Sequence, residues 1–241
     1  MTKRDAMKQF REIKNSIFLG STFLVALIFC SVTFATANTY PTDGWQSSTP
    51  EKQGLQSQML ANMIEKLKMK GYNIDNISII RNGYMVLDAY FYPFSKGQRH
   101  NIHSCTKSIM SILIGIAIDR GYIKSVDQPI VELLPHNIID SLGDYKRSIT
   151  LEHLLIMASG LDCRDSHHYN WKGLFEMRRS GDWGQHVLNL PMVRPPGSKY
   201  EYCNGLSHLL SVIINTTTKM KTREFAEKNL FTPLGISEID W

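Results

Sequence analysis

Four cysteines in 241 residues are too few to build a disulfide scaffold. No Cys-x-x-Cys spacing sets up a zinc or dithiol pair. The chain has no His-Glu-x-x-His run, which excludes the helix-borne zinc site of a metalloprotease. It has no Gly-x-Ser-x-Gly elbow, which removes the support for an α/β-hydrolase nucleophile. Basic charge is also scarce where it would matter. The formal charge is +5, but residues 1–37 alone hold Lys3, Arg4, Lys8, Arg11 and Lys14 against Asp5 and Glu12. The near-neutral remainder lacks the electrostatic footprint of a nucleic-acid-binding protein. With 43% apolar and 20% charged residues, the composition is neither disordered nor collagen-like, and a sizeable core is feasible.

There is one long uncharged run. Residues 16–34 carry no charge, follow a net-positive segment and precede Ala35-Thr36-Ala37. A basic start, an apolar stretch and a small-x-small end describe a secretory signal, with cleavage expected after Ala37. Uncleaved, the same stretch is long enough to anchor the chain in a membrane. The expected location is therefore periplasmic or extracellular, or membrane-attached through residues 16–34. Cys30 reads as one more apolar residue of the run. Cleavage would leave Cys105, Cys163 and Cys203 in three separate segments; they are expected as small buried side chains, with at least one free thiol.

Residues 38–54 read as a lead-in. Leu55, Met59, Leu60, Met63, Ile64 and Leu67 then recur at helical spacing, and Gly71 stops the helix. Two β-prone runs flank Asn82-Gly83 and predict a hairpin over 77–91. From Ser104 the pattern is helical again, with Ile109, Leu113, Ile116 and Ala117 in one stripe. Met110, Ile112 and Ile114 widen that stripe, predicting a nearly buried helix that closes at Gly121. Thr150 fits a helix N-cap, with the helix ending at Gly160. Residues 162–186 read as a long surface excursion, Pro195-Pro196-Gly197 as a rigid turn, 206–214 as an apolar helix, and Thr222 as the cap of a helix through Leu230.

Two short patterns carry chemistry. Ser104-Cys105-Thr106-Lys107 puts a hydroxyl and an amine at i and i+3, on one face of a helix's first turn. A serine hydroxyl needs a base to act as a nucleophile, and a lysine held neutral can supply one. Tyr202-Cys203-Asn204 offers a phenol that can shuttle a proton and an amide that can hold a lysine and a carbonyl at once. Each pattern alone is weak: a capping serine with a surface lysine, and a tyrosine and asparagine in a turn, are the ordinary readings. The eight histidines (100, 103, 136, 153, 167, 168, 186 and 208) fall in no metal-ligand pattern, so no metal or cofactor is expected. His103 could line the site or simply pack. Tyr169, Trp171 and Trp183 could wall a substrate or anchor their loop.

Taken together, four blocks resemble the beta-lactamase-related serine hydrolases: class C beta-lactamases, D,D-peptidases, esterases and nylon-oligomer hydrolases. They are residues 100–135 around Ser104 and Lys107, residues 149–161 (Thr150 through Ser159-Gly160-Leu161), residues 195–205 (Pro-Pro-Gly to Tyr202-x-Asn204-Gly205), and Leu230-Phe231-Thr232-Pro233-Leu234-Gly235-Ile236. The resemblance implies an α+β, beta-lactamase/transpeptidase-like fold over residues 38–241, with an antiparallel sheet against helices and a helical subdomain in residues 121–240. It implies Ser104 as the acylated nucleophile, Lys107 as a sharer of the base role, and Tyr202 as the proton carrier to the leaving group. Asn204 would orient Lys107 and the acyl amide, and the Ser104 N–H would supply half of an oxyanion hole. The substrate would be a small molecule or peptide bearing an amide or ester. The family's Ser-Asp-Asn variant does not occur here. The third motif, Lys-Thr-Gly or His-x-Gly, is not found between Tyr202 and Trp241, where Lys221-Thr222-Arg223 comes nearest. The expectation is thus of a domain without its C-terminal strands, with a non-catalytic or cell-wall-peptide-binding remnant as the second reading.

Overall fold

A computed structural model describes residues 41, 44–135, 144–165, 169–237 and 239–241. The signal-like residues 1–37 and His136, His167 and His168 lie outside these. The elements run β1 (Gln46–Ser47), α1 (Ser57–Lys70), β2 (Asn76–Arg81), β3 (Tyr84–Tyr90), α2 (Thr106–Asp119), α3 (Asp144–Arg147), α4 (Leu151–Leu155), α5 (Lys172–Arg179), α6 (Trp183–Asn189), α7 (Asn204–Thr218) and α8 (Thr222–Ala226). Among the described residues no helix is long and apolar enough to cross a membrane.

The Asn82-Gly83 hairpin forms as its sequence predicts. Both residues take positive φ, 51° and 80°, the geometry a two-residue hairpin needs to match strand twist. β2 and β3 pair antiparallel, with an irregularity between Ile79 and Ile80. The sheet is not purely antiparallel, however. The lead-in supplies β1, which pairs parallel to β3, giving the order β1-β3-β2. Two residues carry no periodicity, so that strand was invisible to pattern reading.

The core lies among the helices. α7 presents Leu206, Leu209, Leu210, Ile213 and Ile214, all buried and spaced i, i+3, i+4, i+7, i+8 along one stripe. α2 answers with Met110, Leu113, Ile114 and Ala117. Into the same cluster pack Ile149, Leu151 and Leu154 around α4, Val187 and Leu188 of α6, and Phe225 of α8. α2 is buried on one face only, since Ile112 keeps 50% of its surface exposed. The apolar residues on its other flank mimicked full burial in the sequence, but α7 covers a single stripe.

The caps follow their chemistry. Thr150 Oγ1 accepts from His153 N–H at 3.4 Å, while His153 Nδ1 accepts from Thr150 N–H at 3.1 Å, so the capping box closes with an imidazole in place of a carboxylate. Gly121, at φ 76°, ends α2 just beyond its C-cap. At α8 the expected cap shifts by one: Lys221 is the N-cap, its N–H bonded to Glu224 Oε2 at 3.1 Å. Thr222 instead turns its hydroxyl to Ser211 Oγ at 2.7 Å.

Two further sequence expectations fail. The excursion over 162–186 contains α5 and the start of α6, short helices whose aromatic and polar faces hid their periodicity. The cysteines are not all buried free thiols: Cys163 and Cys203 form a disulfide, and Cys105 is free and exposed. The 40-residue separation of the bridged pair gave no local signal. Closing a loop of this length restricts the unfolded chain by roughly 2–4 kcal/mol in the chain-entropy account. Replacing both Cys163 and Cys203 by serine should therefore lower the urea unfolding free energy by about that amount. An unchanged midpoint would show that the bridge contributes nothing to stability.

Candidate active site

Ser104 lies in the single turn His103–Cys105 that leads directly into α2. His103 holds φ 43°, a left-handed conformation uncommon outside glycine, and its N–H is tied to Asn101 Oδ1 at 2.7 Å. This turn delivers Ser104 at the head of α2 with its side chain exposed, while Lys107 on the next turn is half-buried. The start of the helix is thus one residue pair later than the sequence predicted, and the i, i+3 relation is preserved.

The second half of the site comes from the segment before α7. Gly197 N–H donates to Ala158 O at 2.7 Å, Glu201 N–H to Met157 O at 2.7 Å, and Val193 N–H to Gly160 O at 2.9 Å. Those bonds strap the Pro-Pro-Gly turn to the chain leaving α4. Gly160 is required there: its φ is 83° and a Cβ would overlap the Arg194 carbonyl. Arg194 and Glu201 pair across the strap. The strap ends at Tyr202, and α7 begins at Asn204.

The four residues named from the two patterns converge. Ser104 Oγ lies 2.7 Å from the Tyr202 hydroxyl, and Lys107 Nζ donates to Ser104 Oγ at 3.3 Å. Lys107 Nζ also donates to Asn204 Oδ1 at 2.8 Å and sits 5.0 Å from the Tyr202 ring centroid. The Tyr202 hydroxyl reaches Asn204 Oδ1 at 3.5 Å. The arrangement offers a nucleophilic oxygen with an amine and a phenol both within proton-transfer reach.

One residue of this network escaped the sequence reading. Asp165 is only 4% exposed, and its Oδ2 accepts from Asn204 N–H at 2.7 Å and from Asn204 Nδ2–H at 3.2 Å. Burial pushes its carboxyl above the ordinary carboxylate value, while the two Asn204 donors, the Leu174 amide and the Lys107 charge pull the other way. An isolated aspartate in a loop has no motif around it, so no local signal marked it.

The aromatic residues divide. Trp171 meets Tyr202 edge-on with centroids 6.2 Å apart, so it buttresses the phenol. Trp183 packs on His208 at 5.2 Å, where burial lowers the imidazole's proton affinity. Tyr169 lines a cleft of about 190 Å³ with Asp165, Lys199, Tyr200 and Tyr202. A larger cleft of about 660 Å³ lies between Asn101, Ile102 and Thr106 on one side and Ile239, Asp240 and Trp241 on the other; Ser104, Lys107, Tyr202 and Asn204 do not line it.

The beta-lactamase family model matches residues 60–241. The chain belongs to the beta-lactamase family. Its fold is the α+β, beta-lactamase/transpeptidase-like one. Similar solved structures include a candidate beta-lactamase from Bacteroides dorei DSM 17855, at 21% identity and TM-score 0.59, covering 76% of this chain and 52% of that one. The octameric penicillin-binding protein homologue from Pyrococcus abyssi aligns at 23% identity and TM-score 0.58, with 74% and 43% covered. A candidate 6-aminohexanoate-dimer hydrolase from Bacillus anthracis aligns at 20% identity and TM-score 0.57, with 71% and 47% covered. At these identities the likeness shows the fold. The chain spans about half the length of these relatives. No curated protein matches it.

The cysteines give a direct check on the geometry around Ser104 and Asn204. Among Cys105, Cys163 and Cys203, iodoacetamide should label Cys105 alone in the folded, unreduced protein. The other two should label only after reduction and unfolding. Labelling of Cys163 or Cys203 without reductant would contradict the bridge beside Asn204.

Proposed function

We propose that the chain is a serine acyl hydrolase that opens an amide or ester through an acyl-enzyme on Ser104. The observation that carries this reading is the convergence of the Lys107 amine and the Tyr202 phenol on Ser104 Oγ, at 3.3 and 2.7 Å. Membership of the beta-lactamase family supports it, although a family fold does not by itself choose a substrate.

In the proposed sequence the pair starts as the Lys107 ammonium beside the Tyr202 phenolate, and Ser104 Oγ bonds to the substrate carbonyl carbon as its proton passes to the Tyr202 oxygen, 2.7 Å away. The carbonyl oxygen gathers negative charge, and the Ser104 N–H is one donor for it. The bond to the leaving amine or alcohol then breaks, and the proton returns through Tyr202 to that group. Water attacks the acyl carbonyl, its proton enters the same pair, and the Ser104 hydroxyl is restored as the acid departs. Asn204 serves by holding Lys107 at the nucleophile. We favour a peptidase, amidase or esterase over a penicillinase, because no motif here reports a dedicated deacylating-water geometry.

Export is part of the same proposal. The charge and apolarity of residues 1–37 support it, and so does the Cys163–Cys203 bridge, since disulfides persist in oxidising compartments. An uncleaved residues 16–34 segment would hold the enzyme at the membrane.

A fluorophosphonate probe followed by peptide mass spectrometry should place the adduct on Ser104. Lys107→Ala and Tyr202→Phe should each slow labelling by about 10²–10⁴-fold, the usual effect of removing a positioned acid or base. Cys105→Ala should leave the rate unchanged. Labelling that persists in Ser104→Ala would overturn the assignment.

A further inference from the structure

Asn204 is the hinge of the hydrogen-bond network, and its amide has two unlike ends. An ammonium only donates, so Lys107 Nζ, 2.8 Å away, requires the oxygen end. The nitrogen end must then face an acceptor. The acceptor present is Asp165 Oδ2, which takes both the side-chain Nδ2–H at 3.2 Å and the backbone N–H at 2.7 Å. A flipped amide would set its NH2 group against the Lys107 ammonium and its oxygen against a carboxylate, losing both bonds.

The backbone holds this carboxylate in place from two sides. Cys163, two residues before Asp165, is bridged to Cys203, the residue immediately before Asn204. The two segments therefore cannot separate while the bridge is closed. From the other side the first turn of α5 presses on the same loop: Gly173 N–H donates to Arg164 O at 3.2 Å, and a Cβ on Gly173 would overlap the Cys163 carbonyl and crowd Asp165 Oδ1. Oδ1 itself is buried and closes no full hydrogen bond; the Leu174 amide is the one donor beside the carboxyl other than Asn204. A carboxylate placed at such desolvation cost, with one oxygen committed entirely to Asn204, calls for a role beyond filling space.

We propose that Asp165, clamped by the Cys163–Cys203 bridge, is a positioning residue of the active site: it fixes the Asn204 amide so that Oδ1 faces Lys107, and through it sets the distance from Lys107 to Ser104. The inference rests on the reading of Ser104 as the acylated residue. Asp165 makes no hydrogen bond to Ser104 or Lys107; its side-chain bonds go to Asn204, and it reaches Lys107 only through its charge.

The test is a double-mutant cycle read by fluorophosphonate labelling of Ser104, with thermal unfolding of each variant alongside. Asp165→Ala should slow labelling roughly 10- to 100-fold, as sub-ångström to ångström misplacement of reacting groups does. Asp165→Asn, which keeps an acceptor oxygen, should recover most of that loss. In an Asn204→Ala background, where Asp165 keeps only the backbone N–H of residue 204 and no side-chain amide remains to orient, Asp165→Ala should cost several-fold less than in the wild-type chain. Equal losses in both backgrounds, or no loss in either, would overturn the proposal. A second measurement uses the unmodified residue: the Asn204 side-chain amide resonance, assigned by its disappearance in Asn204→Asp, should exchange with solvent far more slowly than an unbonded amide. Free-amide exchange would overturn the proposal even if Asp165→Ala failed to fold. If the wild-type chain shows no Ser104-dependent labelling, the functional reading falls, and the amide exchange still decides the role of Asp165.

Discussion

The Lys107 ammonium is held at 2.8 Å by Asn204 Oδ1 and lies 3.3 Å from Ser104 Oγ. A lysine carries four rotatable side-chain bonds, and confining it costs on the order of 1–2 kcal/mol of rotamer freedom. The fixed amide offsets that cost by leaving one favourable destination for Nζ. Most of the architecture around the site serves this one contact. α2 brings Lys107 one turn below Ser104. α7 packs its five-residue apolar stripe on α2 and thereby sets the height of Asn204 at its own first turn. Gly205 lets that turn close on α6, where any Cβ would overlap Val187.

The remaining parts act on the same first turn of α7. The Pro-Pro-Gly strap, hydrogen-bonded to the chain after α4, places Tyr202 two residues before Asn204, and Trp171 supports the phenol ring from its edge. The disulfide joins the residue between Tyr202 and Asn204 to the loop that holds Asp165. The stretch from Met157 to Trp171 and the strap before α7 thus meet at one tripeptide. The proposed acyl transfer would gain from such rigidity, because preorganised groups need no reorganisation as charge develops.

What the sequence disclosed was whatever local chemistry could announce. Asn82-Gly83 dictates a tight hairpin, Thr150 a cap, Gly121 a helix end, and the buried faces of α2 and α7 show in their spacing. Ser104 with Lys107, and Tyr202 with Asn204, were legible as two patterns, each weak until the surrounding blocks gave them a common frame. What stayed hidden depends on contacts across the chain. β1 is too short for a period. α5 and α6 are short helices with aromatic surfaces, which read as loop. Cys163 and Cys203 are 40 residues apart and form no paired-cysteine spacing, and Asp165 acquires its meaning only when Asn204 is folded against it.

The central claim is that Ser104, and not its exposed neighbour Cys105, is the nucleophile served by this network. Intact-mass spectrometry of the chain quenched during reaction with p-nitrophenyl acetate, followed by peptide mapping, tests it most directly. The account predicts a single transient acetyl group on Ser104, absent in Ser104→Ala and retained in Cys105→Ala. An acetyl group on Cys105, or none on Ser104 while ester is consumed, would contradict it.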